Sequence, residues 1–245
     1  MIILLLAGLF AGFINTLAGG GSMLTLPALM MLGMPADIAN ATNRVGIFLQ
    51  SMAGAKGFRD YDRLDSSAVA PILVPTLVGA LIGSLAASYL PVWLLKPTLL
   101  GSMVLMAVVM LVRPDTISPP EGTSVRKLKE TPLAIVSLFF SGIYGGFVQA
   151  GVGFMLIAAL AGGLRYDLVR TNALKMVCTA VLSGVALVVF VARGQVMWFP
   201  GLVLAVGMVI GTTASVRFAI SVSQKTLKWL LLIMVSIASG AAMLS

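Results

Sequence analysis

The chain has 245 residues, of which 59% are hydrophobic and only 10% charged. Soluble domains carry about 25% charged residues, so this composition excludes an ordinary soluble enzyme and reads as a polytopic α-helical membrane protein. The net charge of +8 arises from 16 basic and 8 acidic residues, and the cations fall in short connections between apolar runs. That distribution is a topology signal, not a nucleic-acid-binding surface.

Taken in chain order, the charges separate ten apolar segments at about 2–18, 22–34, 39–56, 67–90, 91–112, 131–150, 152–164, 168–192, 195–217 and 225–244. Residues 1–36 carry no charged side chain, so the first run lacks the basic region of a secretory signal and is expected to remain as a helix. Eight segments approach the roughly 20 residues needed to cross about 30 Å of hydrocarbon. Segments 22–34 and 152–164 have 13 residues each. That is about 20 Å of helix, so each must either sit in a thinned bilayer or dip in and return. Pro27, Pro71, Pro75, Pro97 and Pro200 are expected to kink helices, and Trp93, Trp198 and Trp229 fall near segment ends as interfacial anchors.

The most polar stretch, Arg113–Glu130, contains Pro114, Pro119, Pro120 and Gly122. It divides the chain into a first repeat (1–113), a cytoplasmic linker (114–130) and a second repeat (131–245). Segment lengths recur in the same order on both sides. Ala11-Gly12-Phe13-Ile14-Asn15 matches Gly145-Gly146-Phe147-Val148-Gln149, and glycine clusters follow at Gly19-Gly20-Gly21 and at Gly151-Val152-Gly153. Thr42-Asn43 and Thr171-Asn172 come next, then Gly54 and Gly184. This is an internal duplication of a kind common in secondary transporters. With five segments per repeat the copies are inverted, which places thirteen of the sixteen basic residues on the cytoplasmic side and leaves Arg44, Lys96 and Arg193 outside. Merging each short segment with its neighbour gives eight spans and parallel copies, and divides the cations almost evenly, so the inverted arrangement satisfies the positive-inside bias better.

Two groups of residues could carry chemistry. The first is the glycine-rich breaks. Asn15, Gly19, Gly20, Gly21 and Ser22 interrupt a charge-free run, and Gln149, Gly151 and Gly153 repeat the arrangement. Broken backbone at membrane depth is tolerated only where it is buried in protein or lines a wet cavity. A helix restarting at such a break presents N–H groups that suit an anion, although glycines also serve plain close packing of helices. The second group is the polar helix starts Thr42-Asn43-Arg44 and Thr171-Asn172, with Lys175 one turn on. Cations inside a span are costly and either face a cavity or a partner or snorkel to the headgroups. Arg44 and Lys175 are expected to attract anions in vestibules at opposite ends of one path. Asp37 and Asp167 read as caps or interfacial turn residues, the 15 methionines as packing, and Cys178 as a small buried residue. With no histidine and one cysteine the chain can build neither a Cys/His metal cluster nor an internal disulfide, and no cofactor is expected.

The run from Ala11-Gly12-Phe13 through the triple glycine, Pro27 and Asn40-Ala41-Thr42-Asn43-Arg44 resembles the signature of the sulfite exporter TauE/SafE family. Gly146, Gly151-Val152-Gly153 and Thr171-Asn172 are similar to that family's repeated motif, and the likeness covers nearly the whole chain. It implies a multi-pass permease of the inner (plasma) membrane that exports sulfite, sulfoacetate or a related small organosulfur anion.

The expected function is therefore alternating-access export of a small anion. The expected partners are that anion and the lipid bilayer, with no nucleic acid; a homodimer is compatible with the sequence. An inside-negative potential of 100 mV favours anion exit by about 2.3 kcal/mol per charge. Such export needs no proton relay, and no carboxylate lies deep in an apolar run. Competing readings are a channel-like anion facilitator and a structural membrane subunit. A membrane-embedded enzyme is disfavoured, because no nucleophile–base pair, metal cluster or paired carboxylates can be assembled. No ATP-binding P-loop motif is present.

Overall fold

The computed structural model describes residues 1–99, 101–102, 123–223, 225–227 and 229–230. It is all-helical, with no strand among the described residues. In chain order the helices are α1 (Ile2–Leu17), α2 (Ser22–Met31), α3 (Ala36–Asp60), α4 (Ser66–Tyr89), α5 (Pro132–Phe147), α6 (Val152–Ile157), α7 (Leu168–Ala192) and α8 (Trp198–Ser221). A wide π-helical turn, Ala158–Gly163, continues α6, and residues 92–99 are also helical. Half of segment 91–112, most of segment 225–244 and most of the linker lie outside the described residues.

Local chemistry explains the boundaries. Asp65 caps α4, accepting from the Ser67 N–H at 3.1 Å, and Asp167 caps α7, accepting from the Arg170 N–H at 2.9 Å. Of the two roles open to Asp37, the cap position falls to Pro35, and Asp37 sits in the first turn of α3. Among the described residues α4, α7 and α8 are long and apolar enough to cross a membrane. Their outward rows, such as Val74, Leu77, Val78 and Leu81 on α4 and Leu202, Val206 and Ile210 on α8, are exposed, as expected of lipid-facing surface. Cys178 is buried, in keeping with its reading as a small core residue.

Contacts between individual residues fix the helix directions. Gly8 lies against Leu204, Gly12 against Met208, and the Leu5 and Leu9 carbonyls against Gly207 and Gly211, so α1 and α8 run the same way. Thr76 meets Gly142, and Ala80 meets Gly146, so α4 and α5 also run together. Each pair is a seam of small residues spaced four apart on both helices, which lets the backbones touch. Along α3 and α8, Val45 meets Gly201 and Gly57 meets Val216, again in the same direction. Helices α3 and α7 are opposed: Arg44 stacks on Phe190, Phe48 meets Gly184, and Gly54 meets Met176. The Tyr166–Asp65 hydrogen bond sets the starts of α4 and α7 together, and Ala87 and Ala186 share a core cluster farther along, so α1, α3 and α8 point one way and α4, α5 and α7 the other.

The short segments turn back. Gly21 packs against Ala11 and Asn15, while Leu29 shares a core cluster with Leu4, so α1 and α2 form a helical hairpin. Gly145 meets Val152, and Gly163 meets Ala134, giving α5 and α6 the same form. At ten residues, α2 is only about 15 Å long. The α1–α2 hairpin packs with α3 and α8, and the α5–α6 hairpin with α4 and α7, so each bundle draws helices from both repeats. The two bundles meet mainly along α3 and α7.

Candidate functional site: two hairpin tips and two buried cations

The hairpin tips touch at the centre of the molecule. Gly19 and Gly153 are so close that a Cβ on either would collide with the backbone of the other. Gly19 has φ +92° and Gly151 φ +80°, conformations that glycine adopts without penalty. The glycine clusters singled out in the sequence therefore meet at one place, with Gly20 against the Phe154 ring.

Each tip contains the C-terminus of a broken helix, and each is met by a buried cation from the other repeat. Arg44 on α3 is 0% exposed. Its Nη1 donates to the Gly145 carbonyl and to Gln149 Oε1, both at 2.5 Å, and its Nη2 donates to the Gly146 carbonyl at 2.9 Å. Asn40 supplies a further acceptor for Nη2 at 3.5 Å, while its own amide donates to the Phe147 carbonyl at 2.9 Å. Lys175 on α7 is 1% exposed. Its Nζ donates to the Asn15 carbonyl at 2.9 Å, the Thr16 carbonyl at 2.8 Å and Asn172 Oδ1 at 2.8 Å. The physical logic is the same at both tips. The last carbonyls of a helix lack intrahelical partners and carry the negative end of its dipole, so a cation placed there is stabilised. Arg44 and Lys175 accordingly do not line open vestibules as expected; they are buried against helix ends.

The tip geometry also corrects the sequence alignment of the repeats. Ala18 and Gly19 donate to the Ile14 carbonyl at 2.8 and 3.4 Å, and Val148 and Gln149 donate to the Tyr144 carbonyl at the same two distances. Gln149 thus occupies the place of Gly19, not that of Asn15. It holds φ +70°, a left-handed conformation unusual for a residue with a side chain. Its Oε1 also accepts from the Ser183 hydroxyl at 3.3 Å.

The remaining expected residues divide. Asn43 and Ser22 are joined at the first tip: Asn43 Nδ2 donates to Ser22 Oγ at 3.2 Å, and Thr25 Oγ1 donates to Asn43 Oδ1 at 2.7 Å. Thr42 and Thr171 serve other parts of the fold. Thr42 Oγ1 accepts from the Met197 N–H at 3.1 Å, at the start of α8, and Thr171 Oγ1 donates to the Tyr166 carbonyl at 3.2 Å. The N–H groups of Met23 and Leu24 already bond the Gly20 and Gly21 carbonyls at 3.0 Å, so part of the donor set expected at the restarted helix is in use. Sequence reading placed Asn40 and Thr16 within its motifs without giving them a site role, and missed Thr212 and Ser183. Their signal was a polar row within apolar segments: Thr16 Oγ1 donates to Thr212 Oγ1 at 3.2 Å, and the hydroxyl of Thr212 donates to Gln50 Oε1 at 3.2 Å.

Outside the membrane-spanning segments, Tyr166 OH donates to Asp65 Oδ2 at 2.8 Å and ties the α4 and α7 starts together. The hydrogen bond from Ser67 does most to hold the Asp65 carboxyl below its usual range; burial opposes it, and the bond from Tyr166 adds to the lowering. Burial, and then the Asp65 carboxylate, raises the Tyr166 phenol.

Apolar spans wrapped around a charged, polar centre built from broken helices define the class: this is a membrane transporter fold. The family model for the sulfite exporter TauE/SafE matches residues 4–243, and the chain belongs to that family. It is 27% identical over 238 residues to a protein of Escherichia coli (strain K12) named "Probable membrane transporter protein YfcA", covering 97% of this chain and 87% of that one. A "Probable membrane transporter protein" of Haemophilus influenzae is 27% identical over 247 residues, covering 95% and 90% of the two chains. "Probable membrane transporter protein ORF9" of Sinorhizobium sp is 28% identical over 246 residues, covering 99% and 91%. No solved structure matches the chain.

Proposed function

We propose that the protein is a secondary transporter of the inner membrane that exports a small sulfur oxyanion or organosulfonate by alternating access. The observation that carries this reading is the pair of buried cations. Arg44 and Lys175 each face a helix C-terminus worth about half a negative charge. Among the described residues the only ion pair is Arg170 with Asp167, so neither buried cation meets a carboxylate. About one positive charge is left uncompensated at the meeting point of the tips, and a buried charge without a partner is costly. A small anion would remove that cost, and two backbone-anchored cations would release it more readily than a cage of free lysines.

The inverted relation of the repeats is supported by the opposite directions of α1 and α5. The orientation is supported by Lys56, Arg59, Arg63, Arg126, Arg165 and Arg170, which gather at the end where α3 finishes and α4, α5 and α7 begin. Membership of a transporter family and the hairpin geometry favour a carrier over an enzyme or a structural subunit. Efflux from proteoliposomes loaded in turn with sulfite, sulfoacetate, taurine, thiosulfate and sulfate tests the reading. Saturable efflux of one or two of these, accelerated by a potential that is negative inside, is the expected result. Efflux that never saturates favours the channel-like facilitator, and transport of none of them defeats the assignment to sulfur anions.

A further inference from the structure

Five buried side-chain atoms have no hydrogen-bond partner among the described residues: Asp37 Oδ1, Arg44 Nε, Gln50 Nε2, Ser51 Oγ and Gln195 Oε1. They are not scattered. The two pure acceptors, on Asp37 and Gln195, lie toward the end of the molecule where α3 starts and α7 finishes. The three groups able to donate all belong to α3, and Arg44, Gln50 and Ser51 are each 0% exposed. Buried polar groups in folded proteins are nearly always paired, so three unpaired donors on one helix call for an explanation.

Their level in the molecule supplies one. Helices α3 and α7 cross with Phe48 against Gly184 and Gly54 against Met176. Gln50 and Ser51 therefore lie between these contacts, about 9 Å along α3 from Arg44 at 1.5 Å per residue, and about as far from the level of Lys175. The Thr212 hydroxyl accepts from Thr16 and donates its one proton to Gln50 Oε1, which holds that side chain while its amide nitrogen has no partner among the described residues. Midway between two buried cations, where the repeats cross, the protein holds neutral donors in place and leaves them unpaired.

We propose that Gln50 and Ser51 contact the transported anion directly, as neutral donors at the midpoint of its path, a role no motif in the sequence marks. This rests on the transporter reading. A site of neutral donors flanked by cations passes an anion between them without a deep well at either, as a carrier that must release its cargo requires.

The test uses the full chain purified in detergent, with its melting temperature followed by intrinsic fluorescence during titration with sodium sulfite and with sodium 2-hydroxyethanesulfonate. Sodium chloride controls for ionic strength. The variants are Gln50→Met and Ser51→Ala, which keep shape and remove a donor. Without anion, Ser51→Ala is expected to melt at or above the wild-type temperature, because an unpaired buried group is replaced by an apolar one, whereas Gln50→Met also removes the acceptor of the Thr212 hydroxyl and is expected to melt modestly lower. Their half-saturating anion concentration is expected to rise by about tenfold or more, as loss of a buried hydrogen bond to a charged group implies. Wild-type affinity retained in both variants, or Ser51→Ala melting well below wild type without anion, overturns the proposal alone, since the donors would then be idle or structural. A wild-type protein unmoved by either anion overturns the sulfur-anion reading and this proposal with it.

Discussion

The two tips perform one electrostatic task with different parts. At the first, Lys175 has three N–H donors and three acceptors, two of them the final carbonyls of α1, so the ammonium is satisfied without any help from the residue at the tip, Gly19. At the second, Arg44 brings five donors in a rigid fork. Two carbonyls of α5 do not suffice; Asn40 and Gln149 accept two more bonds, and Nε is left without a partner among the described residues. Gln149 accepts a left-handed backbone, at a cost of about 1–2 kcal/mol for a residue with a Cβ, in order to point its amide at Arg44. The comparison shows one geometry, a cation against a helix C-terminus, realised by different residues at the two tips.

The tip contact should tolerate change least. Gly19→Ala and Gly153→Ala each force a Cβ into opposing backbone. Loss of monodisperse folded protein on size-exclusion chromatography is the expected outcome for both. Gly33→Ala makes a sharp control: it has φ +86° but open space around its Cα, so only the backbone cost of about 1–2 kcal/mol applies. If all three behaved alike, the tips would not be in contact.

Next in size are the cations. Lys175→Met strips donors from two buried carbonyls, at about 1–3 kcal/mol for each. Arg44→Met should do the same at the other tip, and denaturant unfolding would measure both. Arg44→Lys sharpens the comparison, because three donors then face the four acceptors Gly145, Gly146, Gln149 and Asn40. It should restore only part of the stability, whereas a full rescue would mean that the fork geometry at this tip is dispensable.

Gln149→Gly makes the second tip resemble the first. The relief of backbone strain, about 1–2 kcal/mol, opposes the loss of a charged hydrogen bond worth about 1.5–3 kcal/mol. Stability should therefore fall by no more than about 1–2 kcal/mol, while efflux falls severalfold as Arg44 loses its anchor. Unchanged efflux would reduce Gln149 to a backbone role.

The smallest effect belongs to the Tyr166–Asp65 link. Tyr166→Phe should cost about 0.5–1.5 kcal/mol. Because the folded protein holds the Asp65 carboxyl below its unfolded value, its contribution is present at neutral pH and disappears as pH falls through the folded pKa. The variant should therefore show a shallower loss of stability on acidification than wild type.

Much of the fold was legible in the sequence because bilayer thickness dictates segment length. Segment 168–192 coincides with α7, and 67–90 falls within a residue of α4 at each end. The halves could be separated by their breaks, and the glycine clusters do meet. What stayed hidden depended on partners distant along the chain. Nothing in the local sequence around Arg44 says that its acceptors lie about a hundred residues on, in α5, so its burial could not be told from snorkelling. The alignment of Asn15 with Gln149 followed letters, and only the hydrogen bonds to Ile14 and Tyr144 reveal the true register. The small-residue seams Gly8/Gly12, Gly207/Gly211 and Gly142/Gly146 lie within single helices, and nothing local to them says which helix each will meet.

Those glycine seams have a consequence for how the molecule can be taken apart. Helix α1 is zipped to α8, and α5 to α4, so the covalent halves are not the mechanical ones; each bundle is a graft of one repeat onto the other. A chain severed between the repeats would yield two fragments, each with a bare groove cut to fit a helix it does not possess. Expressed separately, such fragments would be prey for proteases. Expressed together, they would need no peptide bond between them to rebuild the whole.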